Sequence, residues 1–168
     1  MSEEHDYDLV IVGGGPAGSS AAFSAAKNGI KVALIEKENS IAETVRTSGV
    51  TWIESINEFG IPKNCYNPIK NFSFVSPNNE VTITDAVATA AVLDVRKTYR
   101  WLANEAKKNG VDVFVKTNIN EVIKNENNDI IGVRGTGPNG KIIFHSKVII
   151  DATGFTSVIS KEIGRAHV

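Results

Sequence analysis

The hexapeptide Gly13-Gly14-Gly15-Pro16-Ala17-Gly18 satisfies the spacing G-x-G-x-x-G, and Glu36 stands 23 residues after its first glycine. Between a strand and a helix, Gly13 permits the tight turn out of the strand. Gly15 lets backbone approach a pyrophosphate, and Gly18 lets the helix pack closely on the strand. The free amides and positive dipole end of a helix opening at Pro16 favour phosphate. A carboxylate at Glu36 can accept hydrogen bonds from both ribose hydroxyls of an adenosine, and it repels a 2′-phosphate. This chemistry is dinucleotide binding, with FAD or NAD favoured over NADP. The plainer alternative is a glycine turn beside a solvated glutamate.

The elements that must position these residues follow from pattern. Residues 7–12 form a short apolar run, as a strand buried on both faces of a parallel sheet requires. A helix is predicted over 16–28, closed by Gly29, and a second buried strand over 31–35, which completes a βαβ unit. Residues 48–59 have helical character, ended by Gly60-Ile61-Pro62, and 71–75 with 81–84 read as a hairpin around Ser76-Pro77-Asn78-Asn79. Tyr99, Leu102 and Ala106 recur at helical spacing within 95–108, and Lys107 and Lys108 suit its C-terminus. Strands are expected at 111–115, 119–123, 130–134 and 141–144. A last one, 148–150, runs into Asp151-Ala152-Thr153-Gly154.

Composition narrows the setting. The chain has 168 residues, 42% of them hydrophobic, so a packed core is expected rather than disorder. A formal net charge of -1 without a basic patch argues against nucleic acid as a partner. The single cysteine, Cys65, excludes an internal disulfide and a Cys-rich metal site, which fits a reducing cytoplasm. No apolar run reaches the ~20 residues of a membrane span, and the acidic N-terminus is not a secretory signal. Residues 163–168, Ile-Gly-Arg-Ala-His-Val, are what ATC-GGA-AGA-GCA-CAC-GTC encodes, the start of a common sequencing adapter. They are read as a non-native tail, set apart from residues 1–162.

Residues 7–38, with Gly-Gly-Gly-Pro-Ala-Gly-Ser-Ser-Ala-Ala, resemble the N-terminal FAD-binding segment of the glutathione-reductase-type flavoproteins. The order that follows (helix, strand, three-stranded meander, strand ending in Ala-Thr-Gly) matches how that FAD domain is completed. Within the superfamily the chain resembles the geranylgeranyl reductase group, close to the aromatic-ring hydroxylases, over residues 7–161. The resemblance implies an α/β fold: a Rossmann-like FAD-binding domain with a parallel sheet, a crossover helix and a three-stranded antiparallel meander. Residues 1–162 would be its N-terminal part, with a substrate domain inserted and its sheet beginning at about 66–92.

The same resemblance implies FAD as cofactor and NAD(P)H or a ferredoxin-like donor as reductant. It makes the parent an FAD-dependent oxidoreductase that saturates isoprenoid double bonds in geranylgeranyl lipids. Its substrate is then a small molecule or lipid, and peripheral membrane contact is compatible with that. A flavin monooxygenase of the aromatic hydroxylase type and a non-catalytic dinucleotide-binding fragment are the alternatives.

Further cofactor-binding residues come from the resemblance alone. Lys37 joins Glu36 and Ala17 in the nucleotide set. Arg46-Thr47-Ser48-Gly49 falls where a loop passes the flavin, with Ser48 where many members have cysteine, so no thiol role is available. Arg96 is the nearest candidate for a cofactor-contacting arginine at the helix start, although Val95 falls at that position. Ile119 marks backbone laid against the adenine, its side chain being core. Gly154 belongs to a second signature, with Thr153 where its common form has aspartate.

The remaining tempting residues take plain readings. His145 lacks a second ligand at metal spacing, His5 lies in a polar tail, and Trp52, Trp101, Phe72 and Phe74 read as core. Asn71-Phe72-Ser73 matches a glycosylation acceptor without a secretory context. No residue reads as a general acid or base.

Overall fold

A computed structural model describes residues 2–162, so the expected tail at 163–168 lies outside the described residues. The chain forms β1 (Glu3–Val12), α1 (Pro16–Lys27), β2 (Val32–Ile35), β3 (Val50–Trp52), α2 (Ile53–Glu58), β4 (Tyr66–Ile69), β5 (Asn71–Val75) and β6 (Glu80–Thr84). It continues through β7 (Ala90–Leu93), α3 (Val95–Lys108), β8 (Asp112–Phe114), β9 (Asn118–Lys124), β10 (Ile130–Gly137), β11 (Gly140–Asp151) and α4 (Val158–Glu162). Two compact units result, Met1–Thr44 with Tyr99–Val168, and Val45–Thr98.

The first unit is built on a six-stranded sheet in the order β8-β2-β1-β11-β10-β9. β8, β2, β1 and β11 run parallel, whereas β9, β10 and β11 form the antiparallel meander. All four residues of β2 are buried, as a strand covered on both faces requires. Alternation along β1 sends Val10 and Val12 to one core with Phe144, Ile119 and Ile159. It sends Leu9 and Ile11 to the other, with Ala22 of α1 and Ala106 of α3. Together these elements form the α/β, Rossmann-like arrangement expected from the sequence.

Two strands of this sheet differ most from expectation. β1 begins at Glu3, because residues 3–7 pair with Ile142–Ser146 of β11. His5 therefore sits half-buried, its ring 5.0 Å from Phe114 and 5.2 Å from Phe144, rather than in a polar tail. The expected strands 141–144 and 148–150 are one twelve-residue strand, since β1 pairs along its whole inner length. Beside them, burial pushes the Tyr7 phenol well above its usual range, and its hydrogen bond to Asp112 (2.9 Å) adds to the shift.

The second unit holds a three-stranded sheet, β3-β7-β4, and the separate β5-β6 hairpin. Residues 48–59 begin as a strand before turning helical at Ile53, and the strands β4 and β7 had no legible pattern. Phe72 pairs with Ile83 and Phe74 with Val81, so one hairpin face is apolar, while Ser73 and Thr82 share a 2.8 Å hydroxyl hydrogen bond on the other. Trp52 and Phe74, expected in a core, are exposed; Trp101 and Phe72 are half-buried. Cys65 is buried, and that burial pushes its thiol up.

Candidate functional site

The glycine turn joins β1 to α1, and its glycines have different reasons to be glycine. Gly13 adopts φ +112, and a Cβ there would strike the Ala152 carbonyl. A Cβ on Gly18 would collide with the Gly13 carbonyl, and would lie 3.2 Å from Ala152 Cβ. Gly13 donates its N–H to Ile35 (2.7 Å), and the Ser19 hydroxyl donates to the Gly14 carbonyl (3.1 Å), so the turn is rigid. Gly15 behaves otherwise. Its φ is -69, it caps α1 with no side-chain hydrogen bond, and a Cβ on it would meet nothing within 4 Å. Packing requires glycine at 13 and 18, whereas at 15 no atom of the chain does, and the space beside the start of α1 is left open.

Glu36 closes one side of the turn. Its carboxylate accepts the Gly14 N–H at one oxygen and the Glu38 N–H at the other, both at 2.9 Å. Its backbone is held on both sides, donating to Phe114 (2.7 Å) and accepting from Thr117 (3.0 Å). The carboxylate is therefore fixed beside the glycine turn, with acceptor capacity left over. Lys37 points to solvent.

On the other side, β11 delivers Asp151, Ala152 and the Gly154 turn to the same place. Sequence reasoning gave Asp151 no task of its own. Its carboxylate accepts the Thr153 hydroxyl (2.6 Å) and N–H (3.1 Å), the Ile159 and Ser160 N–H groups (3.1 and 2.8 Å) and the Ser160 hydroxyl (3.0 Å). Burial raises the Asp151 pKa, but the hydrogen bonds from Thr153 and Ser160 outweigh it and hold the carboxyl below the usual range. Thr153 also accepts the Val158 N–H (3.1 Å), so it staples the turn in place of the signature's aspartate. Asp151 stands well before the start of α4 at Val158, so no N-cap spacing in the sequence announces this cap.

The remaining expected residues divide. Gly13, Gly14, Gly15, Pro16, Ala17, Gly18, Glu36, Lys37, Ile119 and Gly154 lie in the first unit. The Ile119 side chain is buried in the core. Arg46, Ser48, Gly49 and Arg96 lie in the second. There Gly49, with φ +77, leaves only 2.7 Å between a would-be Cβ and Val95 Cγ2. Val95 is thus a packing residue, and the exposed arginine is its neighbour Arg96. Among the described residues no three His, Cys, Asp or Glu side chains gather as a metal site, and no helix is long and apolar enough to cross a membrane.

Residues 8–161 match the family model described as FAD dependent oxidoreductase. A digeranylgeranylglycerophospholipid reductase of Methanocaldococcus jannaschii is 37% identical over 98% of this chain and 42% of its own length. An uncharacterized protein from the nifH2 5′ region of Methanosarcina barkeri is 31% identical over 99% of this chain and 92% of its own. A crystal structure of a geranylgeranyl bacteriochlorophyll reductase-like protein from Thermoplasma acidophilum superposes with a TM-score of 0.85 at 32% identity. It covers 96% of this chain and 43% of that one. The chain therefore spans about two fifths of the length of the reductase relatives it matches.

Proposed function

This chain belongs to the FAD-dependent oxidoreductase family, and from that premise we propose that it holds FAD for a parent enzyme that saturates isoprenoid double bonds. The observation that carries the reading is Gly15, a glycine kept open to a ligand at a helix start and flanked by a fixed carboxylate. The amides at the start of α1 hold the pyrophosphate, and Glu36 holds the adenosine ribose. Asp151 keeps the Gly154 turn closed over Gly13 and Gly18. Bound and reduced, the flavin supplies the hydride chemistry that no side chain here can supply.

Arg46, Ser48, Gly49 and Arg96 belong to the flavin side in this reading, and residues 66–92 begin the substrate-side sheet. The glycine motif supports placing the family within the glutathione-reductase-type flavoproteins. The substrate is a geranylgeranyl lipid, by likeness to the reductase relatives, and the reductant is NAD(P)H or a ferredoxin-like donor in a cytoplasmic setting. A lipid substrate brings the enzyme to a membrane surface peripherally.

The parent protein, given a geranylgeranyl lipid and each donor without oxygen, should yield product heavier by two hydrogens per reduced double bond. Unchanged lipid together with oxygen insertion into an aromatic substrate under air would favour the hydroxylase reading instead. No turnover of either substrate by a protein that nonetheless binds FAD would leave nucleotide binding as its whole task.

A further inference from the structure

The loop that follows Glu36 carries contacts that the nucleotide reading leaves unused. A Cβ built on Gly14 would clash with Ile41 Cδ1 and would lie 3.0 Å from both Cβ and Oε2 of Glu36. The Ile41 methyl and the Glu36 side chain therefore share the space over the Gly14 Cα, and Ile41 is buried. From α3, Arg100 lays its guanidinium on this loop, with Nε donating to the Ile41 carbonyl (3.1 Å) and Nη2 to the Ser40 hydroxyl (3.2 Å). The loop is tied again where Asn39 donates its N–H and side-chain amide to Glu43 (2.7 and 3.0 Å), and where Thr44 donates to Glu38 (2.9 Å).

Charge at Glu36 is not by itself enough to discriminate at the ribose 2′ position. A carboxylate free to rotate can turn away from a 2′-phosphate and let it in. An apolar side chain packed into the space beside it takes away one direction in which the carboxylate could turn, so more of its repulsion is felt. Gly14 is required by this packing, since any larger residue would displace Ile41.

We propose that Ile41, clamped by Arg100, is a specificity-determining positioning residue that immobilises the Glu36 carboxylate and so restricts the site to adenosines with a free 2′-hydroxyl. This rests on the nucleotide site proposed above. Ile41 acts through Glu36, and Arg100 acts through Ile41.

The test titrates the purified chain with ADP and with 2′-phospho-ADP at one ionic strength, and reads the ratio of the two affinities beside the melting temperature. The unsubstituted chain should prefer ADP by about a hundredfold, two decades being some 2.7 kcal/mol. Ile41→Ala should cut that preference about tenfold, and Arg100→Ala, a change at an exposed residue that leaves the core intact, about threefold. Glu36→Gln should abolish most of it, and adding Ile41→Ala to Glu36→Gln should change the ratio no further. A merely structural role would lower melting and both affinities together with the ratio intact, and that result overturns the proposal. So does an Ile41→Ala effect that persists undiminished in the Glu36→Gln background. Binding of neither nucleotide by the unsubstituted chain overturns the nucleotide site itself, and this proposal with it.

Discussion

Every residue of β2 is buried, whereas in the β5-β6 hairpin Phe74 is 62% exposed, Val81 58% and Ile83 51%. Both regions are strands rich in apolar residues. The first unit closes a core on each face of its sheet, so its glycine turn, Glu36 and the Gly154 turn are held by elements of that unit alone. The second unit presents an apolar hairpin face to solvent within the described chain, and a two-stranded hairpin has little stability of its own. The contrast separates a sheet covered on both faces from an apolar hairpin face that stays exposed among the described residues.

One pair of substitutions breaks or keeps that contrast. Phe144→Ala should cost about 3–5 kcal/mol by leaving a cavity beside His5 and Phe114. Phe74→Ala should change stability by no more than about 0.5 kcal/mol. Urea unfolding of both variants compares the same chemistry in the two regions, and equal costs would erase the distinction.

A smaller effect probes the edge of the nucleotide end. The Asp151 carboxyl sits lower in the folded chain than in the unfolded one, so its contribution is present above the unfolded pKa of about 4 and is lost as pH falls through the folded value. Asp151→Asn should therefore cost about 1–2 kcal/mol at neutral pH. The gap from the unsubstituted chain should narrow in acid, measured as unfolding free energy against pH.

The smallest change acts on the clamp loop. Ala42 holds φ +56, a left-handed conformation that burdens any residue with a Cβ. Ala42→Gly should raise stability by about 0.5 kcal/mol, since relief of strain exceeds the added backbone entropy. A lower melting temperature would show that this backbone is unstrained.

Legibility followed the range of the interactions. The turn, α1, β2 and α3 were readable because their signals are local: glycine spacing, an apolar run, a helical period. Strands β3, β4 and β7 were not, because three or four residues carry no period, and Pro68 argues against a strand. Residues 3–6 read as a tail because their side chains are polar, while their strand is set by backbone pairing with residues 142–145, far along the chain. Polar residues Ser146 and Lys147 split β11 in the sequence, though the strand runs through both and keeps the same register with β1 on either side. In the site, the glycines and Glu36 were legible, but the Asp151 cap and the Arg100–Ile41 clamp were not. The clamp spans 59 positions, and no sequence period links its ends.

The central claim is that Gly15 is kept for a ligand and not for the fold. Equilibrium titration of FAD into the purified chain and its Gly15→Ala variant, with the unfolding free energy of each, tests it most directly. The variant should match the unsubstituted chain in stability to within about 1 kcal/mol, because the added Cβ meets open space. Its FAD affinity should fall at least tenfold, or about 1.4 kcal/mol. A folded variant that binds FAD as tightly as the unsubstituted chain would contradict the account.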